Sequence, residues 1–167
     1  MGRKSPLHDR QTATLEITPF DYLESSNFFP NYSNEDKLIA YGILGGIPRY
    51  LEAFDANKSI EENITSKIIR NGAYLHEEPD NLLKAELRET NTYNSILSAI
   101  SNGRNRIIEI ADYIHEDQTK VSKYLSILQT LRLIEKRVPC GESEKSKKSI
   151  YVIKDNFLKF WFRYEFT

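Results

Sequence analysis

The sequence predicts a mainly α-helical fold with one small β-hairpin, ordered as an extended N-terminal arm, a lid-like helical bundle and a winged helix-turn-helix. Three observations carry this. Apolar residues recur at helical spacing through most of positions 33–131, period-two alternation is confined to positions 12–18 and a pair of short runs near 134–138 and 150–153, and the segments from Thr92 onward are short, closely spaced and followed directly by that strand pair. The expected units are an arm at 1–32, a helical unit at 33–90, a winged helix at 91–155 and an aromatic C-terminal helix or tail at 156–167.

Of the 167 residues 40% are apolar and 28% charged, and ten Tyr and eight Phe supply enough large side chains for a buried core, which excludes collagen-like, low-complexity and wholly disordered chains. The longest apolar runs fall far short of the roughly 20 residues a membrane-spanning helix needs, and the N-terminus lacks the apolar stretch of a signal peptide, so a cytoplasmic chain without membrane contact is expected. Met1-Gly2-Arg3-Lys4-Ser5-Pro6 departs from a myristoylation signal, because Pro6 stands where Ser or Thr is required. Cys140 is the single cysteine and forms no internal disulfide, while His8, His76 and His115 are scattered without metal-ligand spacing. The charge is divided: residues 1–90 carry 10 Lys and Arg against 15 Asp and Glu, and residues 91–167 carry 13 against 9. A polyanionic partner is therefore expected at the C-terminal half.

The arm ends in breakers, Pro19 and Pro30, after a short extended stretch near 12–18 that has no nearby pairing partner. That lack hints at a sheet contributed by sequence preceding residue 1. Ser33 with Asp36 signals the start of a helix through Leu38, Ile39, Ile43 and Leu44, closed by Gly45-Gly46. Pro48 suits the first turn of the next helix, with Tyr50, Leu51 and Phe54. Ser59 and Glu62 form a capping box, and Ile60, Ile64 and Ile68 predict a helix of about four turns. Pro79-Asp80 opens a further helix carrying Leu82, Leu83 and Leu87.

In the second half, Tyr93, Ile96, Leu97 and Ile100 mark one helix, with Gly103 as its left-handed stop. Ile107, Ile108, Ile110, Ala111 and Ile114 mark a second, and His115-Glu116-Asp117-Gln118 makes a tight polar turn. Val121, Tyr124, Leu125, Leu128 and Leu131 form the apolar stripe of a third, leaving Thr119, Ser122, Lys123, Ser126 and Thr130 on its opposite face and Lys120 at the flank. Helix, turn and helix followed by a hairpin with a lysine-bearing tip is winged-helix grammar. Duplex DNA is thus a candidate partner: Thr119, Lys120, Ser122, Lys123 and Ser126 would face the major groove, and Lys145, Lys147 and Lys148 of the wing would meet phosphate. Glu142 and Glu144 partly cancel the wing, so a solvated helix face with a protein-docking role is the competing reading. The closing Phe157, Phe160, Trp161, Phe162, Tyr164 and Phe166 hold more apolar area than one terminal helix is expected to bury.

Ser5-Pro6-Leu7-His8-Asp9-Arg10-Gln11-Thr12, then Gly45-Gly46-Ile47-Pro48-Arg49-Tyr50-Leu51, then the winged helix running into Asn156-Phe157-Leu158-Lys159-Phe160-Trp161-Phe162-Arg163 resemble, in order and spacing over nearly the whole chain, the later part of the archaeal-type P-loop ATPases, which are AAA+/STAND-related. The resemblance implies a series of ATPase core, helical lid, winged helix and often a nuclease-like domain, with this chain as its middle and an ATPase core or other protein as a partner. It also implies that Gly46 and Pro48 are the lid's Gly-x-Pro element against the nucleotide base, that Arg49 could reach a phosphate, and that Arg10 lies in the segment after the core's sensor strand. Read from the residues alone, Gly46 and Pro48 are a helix break and restart. The sequence departs from the complete family in lacking G-x-x-x-x-G-K-[ST] and an acidic strand end for magnesium, so ATP and Mg belong to a complete family member and no cofactor or hydrolysis is expected of this chain alone. Glu61-Glu62 and Glu77-Glu78 are sequence neighbours that do not face one another on a helix, which argues against an acid/base pair.

Overall fold

A capping box starts the first helix of the described residues: Glu24 N–H donates to Asp21 Oδ1 at 2.9 Å and Asp21 N–H donates to Glu24 Oε2 at 3.0 Å, opening α1 (Tyr22–Ser26). The computed structural model describes residues 17–87, 90–143, 146 and 148–166. Most of the expected extended stretch at 12–18, with Arg10, lies outside the described residues. The described part of the arm is not extended throughout: α1 interrupts it, and Phe29 beyond it is buried, stacked on Tyr32 at 5.0 Å between ring centroids and edge-on to Phe54. Burying those rings favours folding the segment back on the bundle.

Ser33 caps α2 (Asn34–Leu44) by accepting from Asp36 N–H, and Gly45, at φ +65°, stops it. The buried face of α2 is Ala40, Ile43 and Leu44, so the predicted stripe is corrected: Leu38 is 60% exposed and Ile39 43% exposed. At 100° per residue Leu38 falls opposite Ala40, away from the face that α2 turns to its neighbours. Pro48 occupies the first turn of α3 (Pro48–Ala53), where its missing N–H costs nothing.

The Ser59–Glu62 capping box opens α4 (Ile60–Asn63), but the predicted four-turn helix is replaced by one α turn running into a π-helical segment, Ile64–Ile69, closed by Arg70 N–H to Thr65 O at 3.1 Å. Asn63, fully buried just before the switch, is committed elsewhere. Its Oδ1 accepts from Asp55 N–H at 2.8 Å, and its Nδ2 donates to Asp55 O and to the Tyr32 hydroxyl, both at 2.9 Å. Such a fully satisfied buried amide pins the 55–59 loop and the N-terminal segment to this helix. Helix α5 (Tyr74–Glu86) starts five residues before the predicted Pro79, which lies buried inside it. Its N-cap, Ala73, makes no side-chain cap, so the local start signal is missing.

Helices α6 (Thr90–Ser101), α7 (Ile107–Ile114) and α8 (Gln118–Thr130) lead into β1 (Ile134–Arg137) and β2 (Ile150–Ile153), an antiparallel pair with Ile134 opposite Ile153. Gly103 takes φ +87° after α6, as predicted. Tyr151 N–H donates to Asn105 O at 2.8 Å, so the link between α6 and α7 touches the outer edge of β2 at one residue. The fold is therefore mainly helical with one small hairpin.

The aromatic C-terminus forms α9 (Asn156–Tyr164), capped by Asp155 and packed on α2, α6 and β2. It buries the stripe Phe157, Leu158, Trp161 and Phe162, leaves Phe160 and Phe166 half-buried and Tyr164 mostly exposed, so one helix covers part of the aromatic area and not all of it. Trp161 Nε1–H donates to His76 O at 3.0 Å, Asn156 Nδ2 to Tyr41 O at 3.2 Å and Arg163 Nη1 to Ser101 O at 3.1 Å, so α9 ties α5, α2 and α6 together. One hydrophobic core runs through both halves. Among the described residues, no helix is long and apolar enough to cross a membrane.

Candidate nucleic-acid interface and Gly-x-Pro element

The third helix is held by its apolar side. Val121, Leu125 and Leu128 are fully buried, and Tyr124 meets Tyr93 of α6 edge-on at 4.9 Å. Its approach is set by the turn before it: His115 takes a left-handed φ of 55°, and Asp117 caps α8 by accepting from Thr119 N–H at 2.7 Å. These hydrogen bonds to the ionised form hold the Asp117 carboxyl below its ordinary pKa. Thr119, Lys120, Ser122, Lys123, Ser126 and Thr130 are all exposed, so the helix brings the predicted set to one solvent face. Thr119 and Lys120 stand in the first turn, at the end of a recognition helix that reaches base edges in helix-turn-helix proteins.

Charge on that face is partly spent within the chain. Lys120 Nζ lies 2.6 Å from Glu116 Oε1, and in the wing Lys148 Nζ lies 2.6 Å from Glu142 Oε1. Arg137 of β1 pairs with Glu135, also at 2.6 Å. Ser146 turns the wing tip, accepting from Ser149 Oγ at 2.7 Å and from Lys148 N–H at 3.2 Å. Lys145 and Lys147 lie outside the described residues. The sequence reading paired neither: Glu116 lies in the turn before α8, and Glu142–Lys148 depends on the loop between the strands.

At the expected Gly-x-Pro element, Gly46 has a structural task. Phe20 N–H donates to Gly46 O at 2.8 Å, and a Cβ at 46 would lie 1.8 Å from Phe20 O. The backbone of the N-terminal segment at Phe20 thus packs directly against Gly46. Pro48 is exposed in the first turn of α3. Arg49 is exposed too, but its Nε donates to the Tyr74 hydroxyl and its guanidinium sits 4.7 Å from the Tyr74 ring centroid. Sequence reasoning missed Phe20 and Tyr74, which meet their partners 26 and 25 positions away with no local signal. A cleft of about 580 Å³ opens beside Gly45 and Gly46 and is lined also by Phe20, Arg132, Lys154 and Asp155. Asp155 is largely withdrawn from water, and that burial raises its carboxyl pKa. Among the described residues no group of three or more His, Cys, Asp or Glu could hold a metal ion.

The chain is 39% identical over 166 residues to an uncharacterized protein of Methanocaldococcus jannaschii, an alignment covering 99% of this chain and 37% of that protein. The chain thus spans little more than a third of the length of this curated relative. No family model matches the chain, and no solved structure matches it.

Proposed function

We propose that this chain is the non-catalytic lid and winged-helix part of an archaeal-type P-loop ATPase, and that its winged helix binds duplex DNA. The observation that carries the DNA reading is the exposed polar face of α8, with Lys120 and Lys123 set on a helix whose opposite face is locked by Val121, Leu125 and Leu128. A rigid helix with hydroxyls and two lysines on its open side, beside a hairpin carrying Lys148, meets the requirement that phosphate contacts position and side chains at base edges specify. The extent of the relative, well beyond this chain, supports a place within a longer protein. In a complete ATPase, Arg49 would have to leave Tyr74 to reach a phosphate, and Pro48 is the exposed member of the Gly-x-Pro element.

A second reading, a docking module without nucleic acid, is favoured by the Glu116–Lys120 and Glu142–Lys148 pairs, which lower the positive potential of the same face. Fluorescence anisotropy with a labelled duplex across a salt series separates the two. The DNA reading expects saturable binding whose log-log slope is about −0.9 per neutralised phosphate, weakened in Lys120→Ala/Lys123→Ala. No salt-dependent binding by the full chain, or binding indifferent to both lysines, assigns the face to docking.

A further inference from the structure

A gap beside the hairpin carries an inference independent of the DNA reading. In an antiparallel pair, successive residues turn their backbone groups alternately toward the partner strand and away from it. Lys154 N–H donates inward to Leu133 O at 3.0 Å, and Tyr151 N–H donates outward to Asn105 O at 2.8 Å. Ile153, two residues from Tyr151, therefore points its N–H outward as well, and among the described residues it meets no acceptor there. The chain that pairs with Tyr151 does not continue along the edge, because Gly103 turns it away at φ +87°.

What remains is a cavity of about 220 Å³ between the end of α6, the edge of β2 and α9. Its floor includes the buried Tyr151 and Ile153, and the charged side chains lining it are Lys159 and Arg163, with no carboxylate among the lining residues. These two cations are one turn apart on α9 and share a face. Arg163 is fixed over the cavity by donating Nη1–H to Ser101 O at 3.1 Å. An unpaired strand edge supplies main-chain hydrogen bonds to an added strand, and cations at its rim select the charge of what is added.

We infer that this edge docks an extended acidic segment of a partner protein, which adds a short strand to β2, accepts from Ile153 N–H and sets its carboxylates on Lys159 and Arg163. Charge decides the occupant: the rim is cationic without a compensating acid, so a neutral or basic strand gains the backbone bonds and not the ion pairs.

The test is NMR titration of the full chain, labelled with ¹⁵N, with an acetylated and amidated heptapeptide of alternating glutamate and valine. The Ile153 amide is expected to shift most and to become protected from exchange. A lysine-valine peptide is expected to leave it unmoved. Lys159→Glu, on an exposed side chain whose loss leaves the Arg163–Ser101 bond intact, is expected to weaken binding roughly fivefold, the scale of a rim ion pair of about 1 kcal/mol. The inference is overturned if the acidic peptide leaves Ile153 unchanged, if the lysine peptide binds as well, or if sedimentation shows the edge already covered in a dimer of this chain.

Discussion

Replacing Gly46 by Ala puts a methyl carbon where the backbone of Phe20 already runs. The added Cβ would lie 1.8 Å from Phe20 O, 2.6 Å from its carbonyl carbon and 2.7 Å from its nitrogen. Non-bonded heavy atoms prefer about 3.5–4.0 Å, so the segment must retreat by roughly 2 Å, and main chain cannot rotate aside as a side chain can. Retreat breaks the Phe20–Gly46 hydrogen bond, about 1 kcal/mol, and adds the ~1–3 kcal/mol typical of overpacking, for an expected loss of about 3 kcal/mol. For a chain of this size that lowers Tm by roughly 6–12 °C. Gly42→Ala is the control: nothing lies within 4 Å of its Cβ in the exposed last turn of α2, and Ala there should gain up to about 0.5–1 kcal/mol. Urea unfolding followed by far-UV circular dichroism measures both. A Gly46→Ala variant within about 0.5 kcal/mol of wild type, against that overpacking range, would falsify the packing of the Phe20 backbone on Gly46.

Three further outcomes are expected. Gly45 has φ +65° and ψ −152°, a region held almost only by glycine, so Gly45→Ala should cost about 1–3 kcal/mol of stability in the same urea titration, with Asn156 at an ordinary contact distance adding little. Phe162 is fully buried on α9, and Phe162→Ala should cost about 3–5 kcal/mol in thermal unfolding; a change under about 1 kcal/mol would place α9 outside the core. Burial raises the Asp155 pKa, so its penalty is absent below the ordinary carboxylate range, accrues as pH rises through the raised folded value and is constant above it; Asp155→Asn keeps a capping oxygen and should flatten that fall in a stability-versus-pH series, and an unchanged slope refutes it.

Where a residue's signal was local, the sequence announced it. Ser33 and Ser59 each fix a helix start through a bond spanning three residues, and Gly45 and Gly103 fix stops through their own backbone angles, whereas the cap at Asp117 went unread inside the polar turn 115–118. The α8 stripe was legible because a helix sorts its faces by spacing alone. What failed was long-range. Ile60, Ile64 and Ile68 read as one helix, yet buried Asn63 binds a loop and Tyr32, an arrangement no window of neighbouring residues contains. The start of α5 at Tyr74 has no cap to announce it, and Pro79 gave a false start because burial of Leu75 and Leu83 overrides its helix-breaking tendency. At the candidate site the solvent-facing lysines were legible, whereas Phe20 over Gly46 and Tyr74 beneath Arg49 follow only from the packing of separate elements.

The two lysine pairs weaken the candidate DNA face without closing it, and their size can be weighed. An exposed ion pair is worth about 0–1 kcal/mol, and Lys120 and Lys148 are 51% and 70% exposed against Glu116 and Glu142. Neutralising one phosphate at 0.15 M salt returns about 1 kcal/mol through counterion release, from a slope of −0.9 per phosphate. Exchange of carboxylate for phosphate is thus close to balanced, and the carboxylate left behind repels the duplex. Glu116→Gln/Glu142→Gln removes both the competition and the repulsion. If the face binds DNA, the double variant should bind more tightly at about 0.1 M salt and steepen the log-log slope by up to about 1.8, two phosphates' worth. Binding by wild type with an unchanged slope in the variant would mean that Lys120 and Lys148 do not reach phosphate and that the contact rests on Lys123 and the hydroxyls of α8. No binding by either protein returns the face to the docking reading, since neither the helix nor the wing would then carry any measurable affinity for a polyanion.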